Sequence, residues 1–259
     1  MSALRHFLLA LQFFTRIPVT GRLAGWVGYS PAMLRASAAH LPAVGWVVGT
    51  VGALVFAAAL ASWTPPVAAV LCTVVTVLMT GAFHEDGLAD TADGLGGAST
   101  RERAMEIMRD SRIGAFGAIA LVLALGLKLA LLASLAAQGV STACVALVAA
   151  HVLSRFAPLV VMRVLPYVGG EGGKAKPMAE AVSGASVAVA ALWCLPAAAV
   201  LMSFGGTAHG LGALAAAALV AAFMARLLRR RLGGFTGDAL GATQQLSELA
   251  IYLALAAYR

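Results

Sequence analysis

The sequence predicts an all-α, polytopic integral membrane protein, a bundle of about seven transmembrane helices. Hydrophobic residues make up 61% of the 259 residues and charged residues 11%, against roughly 45–50% and about 25% in soluble domains. Such a chain has too few polar groups to cover a water-exposed surface, so a soluble globule is excluded. The three cysteines each lie in an apolar run, which excludes a disulfide scaffold and predicts buried free thiols.

The order of the elements follows from apolar length, because a helix needs about 20 mostly apolar residues to cross a hydrocarbon core about 30 Å thick. The segment 1–37 has too short an apolar stretch before Arg16 and Pro18, so we predict an interfacial or re-entrant segment there. The last predicted span is the most polar, because Gln244, Gln245 and Glu248 interrupt it. Six spans plus a re-entrant segment are therefore the alternative. The predicted spans are 38–62, 66–83, 113–137, 140–164, 183–204, 206–226 and 239–258.

The basic residues predict the orientation of this bundle. Apart from Lys128, Arg155 and Arg259, every Lys and Arg falls in connections on one side of the predicted spans. The positive-inside rule assigns that side to the cytoplasm. We therefore predict a membrane protein whose chemistry faces the cytoplasm, in the inner membrane of a bacterium as the family resemblance given below implies, and we read the net charge of +7 as topological, with no nucleic-acid partner. The whole chain, 1–259, is expected to form one domain.

Most of the 11 acidic residues lie in the segment 84–112, which we predict to be cytoplasmic. Asp86, Asp90 and Asp93 have the spacing i, i+4, i+7, which confines them to an arc of roughly 60° on one helix face. Like charges stacked in this way repel one another, so a bound cation would stabilise the helix. Carboxylate oxygens suit Mg²⁺, or Mn²⁺. The alternative is a solvated acidic face paired with nearby arginines.

Four further charged positions are candidates for binding an anionic substrate or a metal. Arg109 and Arg112 precede a predicted span and suit either a bidentate phosphate clamp or an anchor at the headgroups. Arg155 lies inside a predicted span, where an ionisable residue usually marks a binding site or a pathway; snorkelling to the membrane surface is the alternative. Asp238 begins a predicted helix and suits either a ligand or an N-cap.

The motifs around these residues resemble those of the cobalamin synthase family. The segment His84–Gly97, HEDGLADTADGLGG, resembles the signature of that family. The resemblance extends along the chain through four more motifs: Phe14–Pro18, Met108–Gly117, Ser154–Arg155 and Gly234–Ala242.

The resemblance implies a Mg²⁺-dependent membrane transferase. Its substrates would be adenosylcobinamide-GDP and α-ribazole or α-ribazole 5′-phosphate, and its products adenosylcobalamin, or the 5′-phosphate, and GMP. This chemistry agrees with the acidic segment, because metal ions held by carboxylates neutralise charge on a pyrophosphate while arginines bind its outer oxygens.

The resulting hypothesis gives each candidate a role. Asp86, Asp90 and Asp93 hold one or two Mg²⁺ ions, and Asp110 or Asp238 completes the set. His84 lies about 160° from the face of the three aspartates on a regular helix, so it would bind substrate, or act as a base if the helix breaks at Gly87; an aspartate of the set is the rival base. The candidates for binding substrate are Arg109, Ser111, Arg112, Arg155 and Lys174.

Two other functions fit part of the pattern. A CDP-alcohol phosphotransferase of phospholipid synthesis carries Asp-x-x-Asp-Gly, matched by Asp90–Gly94, but the residues that should follow are absent here. A divalent-cation transporter, the non-enzyme alternative, would place its carboxylates near the middle of the bilayer. The lipid bilayer is an expected partner in every case, and a homo-oligomer is compatible with the sequence.

Overall fold

The computed structural model describes residues 2–170 and 182–257, so Lys174 lies outside the described residues. Regular structure in these two ranges is helical, with one isolated bridge between Tyr167 and Phe235. The helices are α1 (Ser2–Phe14), α2 (Gly21–Val27), α3 (Pro31–Ser37), α4 (Leu41–Ala59), α5 (Pro65–Thr80), α6 (Phe83–Gly97), α7 (Arg101–Ile107), α8 (Ala115–Gln138), α9 (Val140–Ser154), α10 (Ala157–Val164), α11 (Gly184–Gly205), α12 (Thr207–Arg231) and α13 (Gly237–Ala256).

Five stretches of helix are long and apolar enough to cross a membrane, and each overlaps a predicted span. The first begins earlier than predicted, at Pro31 instead of residue 38, because the Ser30 hydroxyl accepts a hydrogen bond from the Met33 amide (3.1 Å) and caps α3. A 3₁₀ turn then joins α3 to α4. The five spans are Pro31–Ala59, Ala115–Gln138, Val140–Val164, Gly184–Phe204 and Thr207–Arg231.

The helices α5 and α6 form a bent pair, with an angle of 88° between them. Gly81 (φ 65°) and Ala82 (φ 57°) both adopt the left-handed conformation that ends a helix. The amide of Arg16 donates a hydrogen bond to the Met79 carbonyl (2.6 Å) and so satisfies one carbonyl at the end of α5. We treat α5 as the membrane-embedded limb, since α6 is too short and too polar to cross lipid alone.

Helix α13 is the seventh predicted span, and it is not among the helices apolar enough to cross lipid on their own. It packs against α6, α8, α9, α10 and α12. Gln244 and Glu248 are each 1% exposed. Its polar side chains therefore face protein, which explains how a helix of this composition can lie within the bundle. The outer helices instead present apolar side chains, such as Val122 and Leu219, at the surface.

One end of the bundle gathers the basic residues. The guanidinium of Arg231, at the end of α12, donates hydrogen bonds to the carbonyls of Leu95 (3.0 Å) and Ala98 (2.6 Å) at the end of α6. Arg229 donates to the carbonyl of Val164 at the end of α10 (3.3 Å). We call this region, where α6, α7, α10 and α12 end and α13 begins, the basic end. Arg229 and Arg231, which are predicted to lie on the same side of the membrane, are both found at this end.

Candidate active site

The acidic helix α6 crosses α13 backbone to backbone. A Cβ atom added at Gly87 would lie 2.6 Å from the carbonyl oxygen of Asp238, and one added at Gly241 would lie 3.3 Å from the Cα of His84. Only glycine permits so close an approach, since any side chain would push the helices apart. The crossing brings Asp238, at the start of α13, to the acidic face of α6.

Three carboxylates interact at this crossing, and we call Asp86, Asp90 and Asp238 the acidic cluster. Asp86 is exposed, whereas Asp90 and Asp238 are half-buried. Burial, followed by the charges of Asp86, Asp238 and Asp93, raises the pKa of Asp90 to about 7. Burial and the charge of Asp86 also raise the pKa of Asp238. The repulsion predicted for the acidic face is therefore present, and the charge of Asp238 adds to it.

Asp93 shares the helix face of Asp86 and Asp90 but is turned toward the start of α8. Its Oδ2 accepts a hydrogen bond from the Gly114 amide and its Oδ1 one from the Gly117 amide, both at 2.8 Å. The carboxylate thus satisfies two of the free amides at a helix start and complements the dipole there. Asp93 is buried, so it joins α6 to α8 whether or not it also reaches a metal ion.

The acidic cluster offers three carboxylates as donors for a divalent cation. Within residues 2–170 and 182–257, no three His, Cys, Asp or Glu side chains are arranged to hold an ion in their present rotamers. The chemistry of the donors fits a hard cation nonetheless, because the cluster is all carboxylate oxygen and carries unneutralised negative charge that raises the pKa of Asp90. Rotation of exposed and half-buried Asp side chains is enough to change the donor geometry.

Asp110, predicted as a metal ligand, is instead paired with Arg112. The Arg112 Nε lies 3.0 Å from Oδ1 and its Nη2 lies 2.7 Å from Oδ2. These hydrogen bonds hold the pKa of Asp110 at about 2. Arg112 and Ser111 are exposed, and Asp110 is half-buried. The charge of Arg112 is therefore already neutralised by a neighbour, whereas Arg109 makes no ion pair within the described part of the chain.

An open cavity of about 430 Å³ lies at the basic end beside α7. Arg101 and Arg109 both line it. Tyr167 interacts electrostatically with a residue of the cavity and with a residue of the acidic cluster. Burial is the main cause that raises the pKa of the Tyr167 hydroxyl, and the charge of Asp238 raises it further, whereas the charge of Arg109 lowers it. The full lining is Arg101, Glu102, Met105, Glu106, Arg109 and Val168.

Arg101 and Tyr167 were not predicted as site residues. Arg101 begins a short helix whose sequence is typical of an ordinary surface element. Tyr167 immediately precedes the glycine-rich segment that follows span 140–164. A tyrosine beside such a loop is the only sequence feature that could have identified it as a site residue.

His84 lies away from the acidic cluster. It is 6% exposed and its ring contacts that of Phe83, with centroids 5.5 Å apart. Helix α6 is continuous through Gly87, so the break that would turn His84 toward the aspartates does not occur. The His84 side chain is buried and lines a small apolar cavity with Phe83 and Gly241.

Arg155 is held in the interior of the bundle. It is 3% exposed, and its Nη1 donates to the His151 carbonyl (2.8 Å) and lies 3.1 Å from His151 Nδ1. It does not snorkel to the surface. Lys128 is also 3% exposed, and its Nζ lies 2.7 Å from Oε1 of Glu248. Both predicted intramembrane cations therefore belong to a buried polar network centred on α13.

Comparison with known proteins gives a consistent result over nearly the full length. Residues 6–256 match the family described as cobalamin-5-phosphate synthase. The adenosylcobinamide-GDP ribazoletransferase of Albidiferax ferrireducens is 53% identical, over 98% of both chains. That of Leptothrix cholodnii is 51% identical, over 98% of this chain and 97% of its own. That of Vibrio cholerae is 42% identical, over 98% and 94%. No solved structure matches the chain.

Proposed function

The chain belongs to the cobalamin-5-phosphate synthase family, and we propose that it acts as an adenosylcobinamide-GDP ribazoletransferase in the membrane. It transfers the cobinamide phosphate moiety of adenosylcobinamide-GDP to the ribose hydroxyl of α-ribazole or α-ribazole 5′-phosphate. The products are adenosylcobalamin, or its 5′-phosphate, and GMP. The observation that carries this proposal is the acidic cluster, in a chain about half identical to enzymes of that name. It is supported by the cavity that Arg101 and Arg109 line, since the charges of Arg109 and Asp238 both act on the pKa of Tyr167.

The reaction exchanges one phosphorus–oxygen bond for another. The ribose hydroxyl oxygen bonds to the cobinamide-bearing phosphorus, the bond from that phosphorus to the bridging oxygen breaks, and GMP leaves with the electron pair. A carboxylate of the acidic cluster accepts the proton of the hydroxyl. Bound by Asp86, Asp90 and Asp238, a divalent cation, Mg²⁺ or Mn²⁺, would neutralise the charge that builds on the pyrophosphate.

Arg109 and Arg101 bind outer phosphate oxygens from the cavity beside the acidic cluster. Their guanidinium groups suit this role because each presents paired donors at fixed geometry. Arg112 and Asp110 neutralise each other, so we assign them to the shape of the loop that contains Ser111. Asp93 positions α6 against α8.

His84 and Arg155 are not included in this proposal. Both face the interior of the bundle, away from the acidic cluster. The cation-transporter alternative is also less well supported, because the acidic cluster lies beside the basic end and the more deeply buried Glu248 is paired with Lys128.

We further propose that the whole chain forms one transferase domain and that the basic end faces the cytoplasm of the bacterial inner membrane. The positive-inside rule supports this orientation. In this orientation the acidic cluster, which lies beside the basic end, opens toward the cytoplasm.

The test is to supply the purified protein, in detergent with Mg²⁺, with two donor and acceptor pairs in separate reactions. The first contains adenosylcobinamide-GDP and α-ribazole, and the second CDP-diacylglycerol with small alcohols. We expect GMP and a cobalamin product from the first reaction and no CMP from the second. CMP from the second reaction alone would favour the phospholipid alternative, and no cobalamin product in the first would overturn the proposal.

A further inference from the structure

Deeper in the bundle, α6 and α13 are joined a second time, by a run of buried polar side chains. Oε1 of Glu85 accepts a hydrogen bond from Nε2 of Gln245 (3.0 Å), which also donates to Oε1 of Gln244 (3.1 Å). Nε2 of Gln244 donates to Oε2 of Glu248 (2.8 Å), whose Oε1 pairs with Lys128. All five side chains are buried. We call this run, Glu85–Gln245–Gln244–Glu248–Lys128, the buried chain.

The donors and acceptors of the two glutamines permit only one arrangement of the buried chain. An amide nitrogen has two N–H donors. Those of Gln245 go to Glu85 and Gln244, and those of Gln244 go to Glu248 and to the hydroxyl of Ser154 (2.9 Å). All four donors are used, so a flipped amide would lose partners in a buried setting. Oε2 of Glu85 has no partner within the described residues, so Oε1 and its bond to Gln245 fix the position of this carboxylate.

The buried chain connects the same two helices that carry the acidic cluster. Gln245 follows Asp238 by seven residues, which places it on the same face of α13, about 10 Å farther along the axis. Glu85 immediately precedes Asp86 on α6. The contact between Gly87 and Asp238 sets how close the helices approach, and the hydrogen bonds of Asp93 fix α6 against α8. The Glu85–Gln245 hydrogen bond is the side-chain contact that fixes the rotation of α6 against α13 itself, one residue from Asp86.

We propose that Glu85 and Gln245 are positioning residues, whose hydrogen bond sets the rotation of α6 against α13 and thereby the affinity of the acidic cluster for a divalent cation. An Asp carboxylate lies about 5–6 Å from a helix axis, so a rotation of about 20° would move it about 2 Å. That exceeds the tolerance of roughly 0.5 Å for a preorganised site. The inference rests on the cation-binding role given to the cluster in the proposed function, and it places neither side chain on the reacting atoms.

Two single variants separate positioning from direct binding. Gln245→Met keeps the length of the side chain and removes both donors, so we expect it to weaken Mn²⁺ binding and lower kcat by about 10–100-fold, as loss of an outer-shell partner does. The KM for the nucleotide donor should change by less than about threefold, because the arginine-lined cavity is untouched. Glu85→Gln keeps the oxygen that accepts from Gln245, so it should retain Mn²⁺ affinity and kcat within about threefold.

A control variant and a double variant guard against an effect of folding alone. Ser247 is buried on the same helix and its hydroxyl has no partner within the described residues, so Ser247→Ala should behave as wild type. The double variant Glu85→Met/Gln245→Met removes both partners of the hydrogen bond between the two helices, and Oε1 of Gln244 is the one acceptor in the buried chain that loses its donor. We expect it to have a melting temperature close to that of wild type while still binding Mn²⁺ weakly.

Binding is measured by the electron paramagnetic resonance signal of free Mn²⁺, which requires no substrate. Wild-type protein that binds Mn²⁺ and releases no GMP would overturn the proposed function and leave the positioning inference standing if the variants behave as expected. The inference is overturned if wild type does not bind Mn²⁺, if the double variant binds Mn²⁺ as tightly as wild type, or if Glu85→Gln loses as much affinity as Gln245→Met. The last result would make Glu85 itself a ligand.

Discussion

Gly87 of α6 lies directly against the backbone of Asp238 at the start of α13, where an added Cβ would be 2.6 Å from the carbonyl oxygen. We expect Gly87→Ala to separate the two helices and to lower kcat by at least about tenfold, since misplacement by about 1 Å is costly to a preorganised site. GMP release in detergent measures the effect. The matched control is Gly126→Ala on α8, where an added Cβ meets nothing within 4 Å; equal activity in both variants would contradict the role given to the crossing.

Asp90→Asn should abolish turnover while leaving the protein folded. Burial and like charges raise the pKa of Asp90 to about 7. A carboxyl group whose pKa is higher in the folded than in the unfolded protein destabilises the folded state as the pH rises from the unfolded-state pKa to the folded-state pKa. For Asp90 this loss is complete once the pH is above about 7. In the absence of metal at pH 8 the variant should therefore melt at the same temperature as wild type or higher, and near-normal GMP release at saturating Mg²⁺ would remove Asp90 from the site.

Divalent-cation binding should depend on pH through the same residue. Below pH 7 Asp90 carries a proton in the ion-free protein, so a cation must displace that proton. We expect the Kd for Mn²⁺ to rise by up to about tenfold for each pH unit below 7 and to level off above it. The profile of Asp90→Asn should be much flatter between about pH 5.5 and 8. A wild-type Kd that stays constant over this range would contradict the prediction.

The two arginines that follow α7 should differ in their effect on substrate binding. Arg109 has no ion pair in the described ranges and lines the open cavity, so Arg109→Ala should raise the KM for the nucleotide donor by about 10–100-fold, the value of a charged hydrogen bond. Arg112 is exposed and neutralised by Asp110, so Arg112→Ala should change KM by less than about threefold. Steady-state kinetics at fixed acceptor concentration distinguishes the two. Equal losses would show that Arg112 exchanges Asp110 for phosphate.

The buried pair of Lys128 and Glu248 should matter for stability. Lys128→Met would leave the Glu248 carboxylate without its cation among groups that are 1–3% exposed, a loss of about 3–5 kcal/mol in the free energy of unfolding. Lys128→Met/Glu248→Gln removes both charges and keeps the oxygen that accepts from Gln244, so it should recover most of that stability. Thermal unfolding in detergent compares the two. A double variant as unstable as the single one would show that the loss arises from packing at position 128.

The membrane-spanning helices were predictable because apolar length is a local property of the chain. Each predicted span overlaps a helix of the structure, and α9 with α10 covers 140–164 as expected. The acidic helix was predictable for the same reason, since the spacing of Asp86, Asp90 and Asp93 requires only helical geometry. The start of the first span was placed too late because its N-cap, Ser30, lies within a segment read as interfacial.

Partners that come together only on folding were beyond such reasoning. The side chain of Asp93 has the spacing of a ligand, but its orientation depends on where α8 begins. Asp110 is a different case, because its partner Arg112 is only two residues away in the sequence and competes with any metal ion. The polar residues within 239–258 made this segment the least apolar of the predicted spans. Two of them, Gln245 and Glu248, bind α13 to Glu85 of α6 and Lys128 of α8.

The central position of α13 has a consequence for biogenesis. A helix carrying Glu248 partitions poorly into lipid by itself, because a charge at the centre of a bilayer is costly. Its counter-charge, Lys128, lies on α8, which precedes α13 along the chain and leaves the ribosome first. We therefore expect α13 to enter the membrane cooperatively, against helices already inserted. Since Asp238 travels with it, insertion of this helix would be the step that completes the acidic cluster.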